Sequence, residues 1–252
     1  MDDWTTSHDR VLAQRNAEGW LFLLEAVRDL RTTGALAPSS KALSRLLTDP
    51  VNEYGAQPLN VLEAGAGTGS VTRALMPLLS PGSRLDIVEA NPRFASRLRR
   101  LVRTHPHLAG ERERVRVHHA FVEHLDTDRH YAVIVSGLPF TNFTPSQIET
   151  IMDRYLELLQ PGGTLTYFAY RGTRYARTLT ASRTEARRHR AVEDVLAGYQ
   201  RRYATGCWSV WGNLPPAKVW QLRRPADPAT SAGSTAAEAP AVPLTVKAGA
   251  GR

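Results

Sequence analysis

The sequence predicts an α/β fold: a doubly wound, mostly parallel seven-stranded sheet with helices on both faces and a C-terminal β-hairpin. Three observations predict it. From residue 59 onward, short apolar runs alternate with helix-length segments, which is the mark of βαβ units. A glycine-rich stretch, "VLEAGAGTGSVT", stands between the first apolar run and the next helical segment. Near the end, "CWSVW" and "AKVWQLRR" flank the Pro-containing turn "GNLPP", which reads as a hairpin at a sheet edge.

The elements follow in order. Residues 15–31 repeat apolar side chains (Trp20, Leu21, Leu23, Leu24, Val27, Leu30) at helical spacing, with Arg28 and Arg31 late in the segment. "APSS" then offers Ser39 or Ser40 as the cap of a second helix running through Leu47. Strands are expected at Leu59–Leu62, Leu85–Val88, Val115–His119, Tyr131–Val135 and Thr164–Tyr170. Helices are expected at Val71–Leu79, Pro92–Thr104 and Pro145–Leu159, with "PGG" turning the chain into the fifth strand. This gives three parts. Residues 1–56 carry the N-terminal helices, and residues 57–224 form the main domain, with a basic insertion at 171–203. Residues 225–252, rich in Ala, Pro, Gly and Ser, are expected to be disordered because they cannot bury enough surface to offset ordering entropy.

Composition narrows the classes. The 252 residues are 42% hydrophobic, which suits one ordinary domain, and the single Cys207 allows no internal disulfide. A cytoplasmic protein is the simplest expectation: the N-terminus is acidic and polar, unlike a secretion signal, and no apolar run approaches membrane-spanning length. The net charge of +8 comes mainly from arginine, clustered at 93–103 and 171–190, and draws the chain toward polyanions. Charge alone does not choose between nucleic acid and an anionic bilayer, and no protein partner is inferred. His105, His107, His118, His119, His124 and His130 lie near one another in sequence, but their spacing fits no metal site, and none is expected.

The glycine stretch defines a ligand. Gly65, Ala66, Gly67 and Gly69 follow a strand and precede a helix, where glycine permits tight turning and close backbone approach. Ser70 stands where the dinucleotide pattern G-x-G-x-x-G has its third glycine. Glu63 at the mouth of the loop would repel a pyrophosphate and suits a ligand with an ammonium group. Glu89 ends the next strand, where a carboxylate can accept from two ribose hydroxyls. An ammonium, a ribose and no phosphate together describe S-adenosylmethionine.

These residues resemble the class I S-adenosylmethionine-dependent methyltransferases, which have a Rossmann-like fold. The likeness rests on "VLEAGAGTGSVTRAL", "VEAN" and "SGLPF", and covers roughly residues 57–170. It implies that Glu63, Gly65, Gly67 and Gly69 line the methionine side and that Glu89 takes the ribose, flanked by Ala90 and Asn91. Many family members place an acidic residue after the third strand. Here Ala120 and Phe121 occupy that place, so Phe121 is expected to stack on adenine and Glu123 to approach its amino group.

The turn Ser136, Gly137, Leu138, Pro139, Phe140 resembles the "SGLP" of bacterial phosphatidylethanolamine N-methyltransferases, and less closely the "NLPY" of ribosomal RNA adenine dimethyltransferases. Backbone carbonyls at such a turn can orient an amine lone pair, and proline stiffens the loop. The turn is therefore the candidate catalytic element, with Ser136 also at the cofactor edge. "RTTGALAPSSKALSRLL" and "VWGNLPPAKVWQLRR" resemble two further segments of the phospholipid enzymes. The resemblance implies an N-methyltransferase acting on the amine headgroup of a phospholipid such as phosphatidylethanolamine. Ser39, Ser40, Asn142, Tyr167 and Tyr170 are candidate substrate contacts. The N-terminal helix then either lies on an anionic membrane surface, making the protein peripheral, or packs its apolar face on the sheet. A ribosomal RNA adenine N6-methyltransferase, a small-molecule methyltransferase and a non-catalytic cofactor-binding protein are the alternatives.

Overall fold

In a computed structural model, residues 38–108, 110–170, 183–211 and 216–226 are described. The expected helix at 15–31, with its membrane-docking face, lies outside them. So do nearly all of the tail and residues 171–182 of the basic segment.

The strands are β1 (Asn60–Ala64), β2 (Arg84–Val88), β3 (Val115–His118), β4 (Tyr131–Ser136), β5 (Leu159–Tyr170), β6 (Ala204–Val210) and β7 (Ala217–Arg223). They form one seven-stranded sheet in the order β3-β2-β1-β4-β5-β7-β6. The first five run parallel, and β7 lies antiparallel between β5 and β6. The predicted hairpin is therefore present and occupies one edge.

Both faces of the sheet are covered, so side chains alternate between two apolar layers rather than between core and water. Leu62, Ala64, Ile134, Leu165 and Leu222 point to one layer. Over it lie α4 (Pro145–Leu158), through Ile148, Ile151, Met152 and Tyr155, and α5 (Arg183–Tyr203), through Val192 and Leu196. Val61, Leu85, Ile87, Val133 and Val135 point to the other. That layer is closed by α1 (Pro38–Thr48), α2 (Ser70–Leu75) and α3 (Pro92–Thr104), through Leu47, Leu75, Leu98 and Val102.

Local chemistry sets the boundaries. Asn91 caps α3: its side chain accepts from the amides of Arg93 and Phe94, with Pro92 at the first helical position. Thr144 and Gln147 form a capping box at the start of α4. Two expectations change. The helix expected to run to Leu79 ends at Leu75 and continues as a 3-10 turn, Met76–Leu78, because Pro77 cannot donate to the α-helical ladder. "PGG" is not a separate turn: β5 runs from Leu159, and Tyr131 pairs with Leu159 while Val133 pairs with Thr164, so the extra residues form an irregularity within the strand. Of the segment read as a 171–203 insertion, residues 183–203 form α5. Val192 and Leu196 are buried, so this part is a layer of the fold and not an appendage.

Candidate active site

The strand order reverses between β1 and β4, and in open α/β sheets ligands bind at the carboxyl ends of the strands at such a point. The glycine loop leaves β1 there, and the Ser136–Phe140 turn leaves β4 beside it. The two are joined through backbone. The Gly137 amide donates to the Ala64 carbonyl at 2.8 Å, and the Gly65 amide donates to the Val88 carbonyl at 2.9 Å. A Cβ at Gly137 would stand 2.6 Å from the Gly65 carbonyl oxygen, and a Cβ at Gly65 would meet the Leu138 side chain at 2.4 Å and its amide nitrogen at 3.2 Å. Gly65 also has φ +71. The small residue after Ser136 is thus required by the glycine loop itself: two chain segments touch where neither has room for a side chain.

Around this contact stand two buried carboxylates. Glu63 is fully buried, and its Oε2 accepts from the Thr72 hydroxyl at 2.7 Å. Its Oε1 has no hydrogen-bond partner among the described residues. Burial pushes this carboxyl up to about 8; the Thr72 hydrogen bonds pull against that, and nearby Glu89 adds to it. An unsatisfied buried carboxylate oxygen is costly, and a ligand ammonium would satisfy it. Glu89 lies just past β2. Its Oε2 accepts from the Gly67 amide and its Oε1 from the Asn91 amide, each at 2.7 Å. Burial raises the Glu89 carboxyl too, partly offset by those two amides. The amides fix its orientation and leave lone pairs for hydroxyl donors. A Cβ at Gly67 would meet nothing within 4 Å, so the loop backbone borders open space. An orphaned acceptor, an oriented second carboxylate and a side-chain-free loop fit the ammonium and ribose of S-adenosylmethionine.

Comparison with known proteins points to the same cofactor. Residues 61–163 match the family model described as "Methyltransferase domain". That segment and the fold together mark an S-adenosylmethionine-dependent methyltransferase. An ornithine lipid N-methyltransferase of Singulisphaera acidiphila is 29% identical over 151 residues, which span 58% of this chain and 74% of that protein. The N-methyltransferase NodS from Bradyrhizobium japonicum WM9 superposes with a TM-score of 0.54 at 18% identity, covering 75% of this chain and 98% of that one. The 1,6-didemethyltoxoflavin-N1-methyltransferase of Burkholderia thailandensis superposes with a TM-score of 0.56 at 17% identity, covering 86% and 90%. At those identities the structural likeness is one of fold.

In this methyltransferase the predicted cofactor residues fall into distinct environments. Glu63, Gly65, Ala66, Gly67, Gly69 and Glu89 converge on the loop. Asn91 sits beside Glu89 with its side chain committed to capping α3. The Ala90 carbonyl is hydrogen-bonded to His119 at 3.0 Å. Ala120 and Phe121 follow β3; Ala120 packs against the α4 layer, and Phe121 meets His124 edge-on.

The turn residues divide similarly. Ser136 is fully buried, and its Oγ accepts from the Tyr155 hydroxyl at 2.9 Å and from the Leu138 amide at 3.4 Å. That hydroxyl braces the turn from within. Phe140 is buried with its ring 5.3 Å from that of Tyr167. Tyr167 is fully buried, and its hydroxyl accepts from Gln200 at 2.7 Å. Ser39 and Ser40 lie in the first turn of α1, and Tyr170 is the last residue of β5. Asn142 is half-buried, and its carbonyl accepts from Arg188 Nη2 at 3.0 Å.

Sequence reasoning missed four supports. Arg188 on α5 holds the Asn142 and Phe143 carbonyls just beyond the turn, and Gln200 on the same helix holds Tyr167, whose ring packs against Phe140. Tyr155 on α4 braces Ser136. Asp86 on β2 is buried and gathers His118 (2.8 Å), Arg129 (2.6 Å) and Tyr131 (3.0 Å), tying down the segment between β3 and β4. Burial opposes charge on Asp86, but these three partners outweigh it and hold its carboxyl below the usual range. An aspartate inside the apolar run "RLDIV" was the available signal, since a buried carboxylate needs partners.

Proposed function

We propose that this methyltransferase methylates the amine headgroup of a membrane lipid, a phospholipid such as phosphatidylethanolamine or an amino lipid of related headgroup chemistry. The observation that carries the reading is the Ser136–Phe140 turn locked against the glycine loop, in a chain with a lipid N-methyltransferase as a relative. When bound, S-adenosylmethionine supplies a methyl group on an electrophilic sulfonium. Glu63 would hold its ammonium and Glu89 its ribose. The chain's contribution to the transfer is placement: the turn offers an amine backbone carbonyls and a stiff proline beside the cofactor loop. Tyr155 and Tyr167 are poor proton acceptors. Burial raises both hydroxyls well above their ordinary value, the Tyr155 proton is given to Ser136, and the Tyr167 oxygen takes Gln200. The amine is therefore assigned to lose its proton to water or to a lipid phosphate.

The test is methyl transfer from labelled S-adenosylmethionine to vesicles containing phosphatidylethanolamine or an ornithine lipid, beside ribosomal RNA. The reading predicts label in the lipid extract and the methylated amine by mass spectrometry. Label in RNA and none in lipid would replace it with the nucleic-acid alternative.

A further inference from the structure

Five strands of the sheet end at the edge that carries the glycine loop, and so does β6. Val210 pairs with Ala217, and Ala217 pairs with Tyr170, the last residue of β5. Trp211, immediately after β6, therefore stands on the same rim as the site. It is 60% exposed, and among the described residues it is the one large hydrophobic side chain left exposed. Cations stand on the same rim. Arg93 is exposed in the first turn of α3, two residues beyond Asn91. Arg187 and Arg190 are exposed on α5 and flank Arg188, which reaches the Asn142 carbonyl of the substrate turn. The two acidic residues at the loop, Glu63 and Glu89, are buried.

We propose that this rim is a docking face for an anionic lipid bilayer, with Trp211 seated at headgroup level and Arg93, Arg187 and Arg190 against lipid phosphates. The proposal rests on the lipid-amine reading and adds an orientation to it. An indole has an apolar body and a polar N–H, which suits the membrane–water boundary. Arginines on the same rim add attraction that a neutral surface lacks. The orientation also serves the chemistry, because a headgroup fixed in a bilayer reaches the Ser136–Phe140 turn only if that rim faces the membrane. The distal arginines of α3, Arg100 and Arg103, are exposed as well, but they lie two to three turns further from the rim. They would dominate only if the chain lay on its flank.

The experiment is co-sedimentation of the full chain with vesicles of phosphatidylglycerol and phosphatidylcholine, without methyl donor. Trp211→Ser should weaken binding about tenfold, by loss of inserted apolar area. Arg187→Ser with Arg190→Ser should weaken it by about fivefold for each residue, and more salt should weaken the wild type. Arg100→Ser with Arg103→Ser should change it less than twofold, in proportion to a distal position. Thermal melting should show all variants folded, since each side chain is exposed. Brominated lipids should quench the wild type more than Trp211→Phe. A Trp211→Ser chain that binds like wild type, an α3 pair that matters as much as the α5 pair, or a wild type that binds RNA and ignores vesicles would each overturn the docking face. The substrate reading fails separately: a chain that docks through Trp211 yet methylates no lipid amine refutes the substrate and keeps the face.

Discussion

The two edges of the site are built differently. The cofactor edge, at the ends of β1 and β2, is a local device: one loop, two carboxylates, and backbone amides that aim them. Glu89 is held by Gly67 and Asn91, both close to it in the fold's most compact motif. The proposed substrate edge, beyond β4, is assembled from afar. Tyr155 reaches back to Ser136, Arg188 to Asn142, and Gln200 to Tyr167, each from a helix that follows later in the chain. One edge is a motif that any sequence with the right glycines can make. The other depends on how two helices pack, so it is where relatives with the same cofactor can differ in substrate.

The largest expected effect comes from breaking the joint between the edges. Gly137→Val places a Cβ 2.6 Å from the Gly65 carbonyl oxygen. From the turn alone, crowding of the amine channel with normal cofactor affinity would be expected. The contact predicts otherwise: the glycine loop must move. Overpacking of this kind costs ~1–3 kcal/mol, so cofactor affinity should fall by up to about a hundredfold, together with the melting temperature. Calorimetric titration and thermal melting check both, and normal affinity would show that the joint yields without disturbing the loop.

Glu89→Ala tests the cofactor edge alone. Charge-assisted hydrogen bonds are worth ~1.5–3 kcal/mol each, so S-adenosylmethionine should bind at least ~tenfold more weakly, while the fold survives. Unchanged affinity in the same titration would remove Glu89 from the site.

A smaller effect appears as a pH dependence. Burial raises the Glu63 carboxyl to about 8, from an ordinary value of ~4.3 in an unfolded chain. Between those values the ligand-free fold binds more protons than the unfolded chain, so the Glu63 contribution to stability is present at low pH and lost as pH rises through about 8. A cofactor ammonium favours the carboxylate instead. Binding should therefore release a proton, and affinity should rise with pH across the window, by at most ~tenfold per unit. Titration in buffers of different ionisation heat measures that proton. Glu63→Gln should abolish its release and flatten the dependence.

Legibility in the sequence followed the same division. The sheet, its hairpin and the cofactor loop could be read because each is written in adjacent residues: apolar runs between helix-length segments, glycines at a strand end, a carboxylate closing the next strand. The turn could be located, but not its reason. That Gly137 is small because Gly65 lies against it is a contact between residues 72 positions apart, visible only once β1 and β4 pair. The basic run at 171–203 read as an insertion because its many arginines hide Val192 and Leu196, whose burial depends on α4. Asp86 could be seen, but its three partners could not, since they arrive from two later segments.

The separability of the two edges is tested most directly by cofactor affinity and turnover measured side by side on Arg188→Met. Arg188 donates to the carbonyls of Asn142 and Phe143, on the segment beyond β4. Loss of a charge-assisted bond to the turn should lower turnover about fivefold, with Arg188→Lys recovering part of it. The dissociation constant for S-adenosylmethionine should stay within about twofold of wild type, since the bonds removed are to the Asn142 and Phe143 carbonyls, outside the residues assigned to the cofactor. A tenfold weaker cofactor with turnover otherwise intact would contradict the account, because it would place α5 in the cofactor edge.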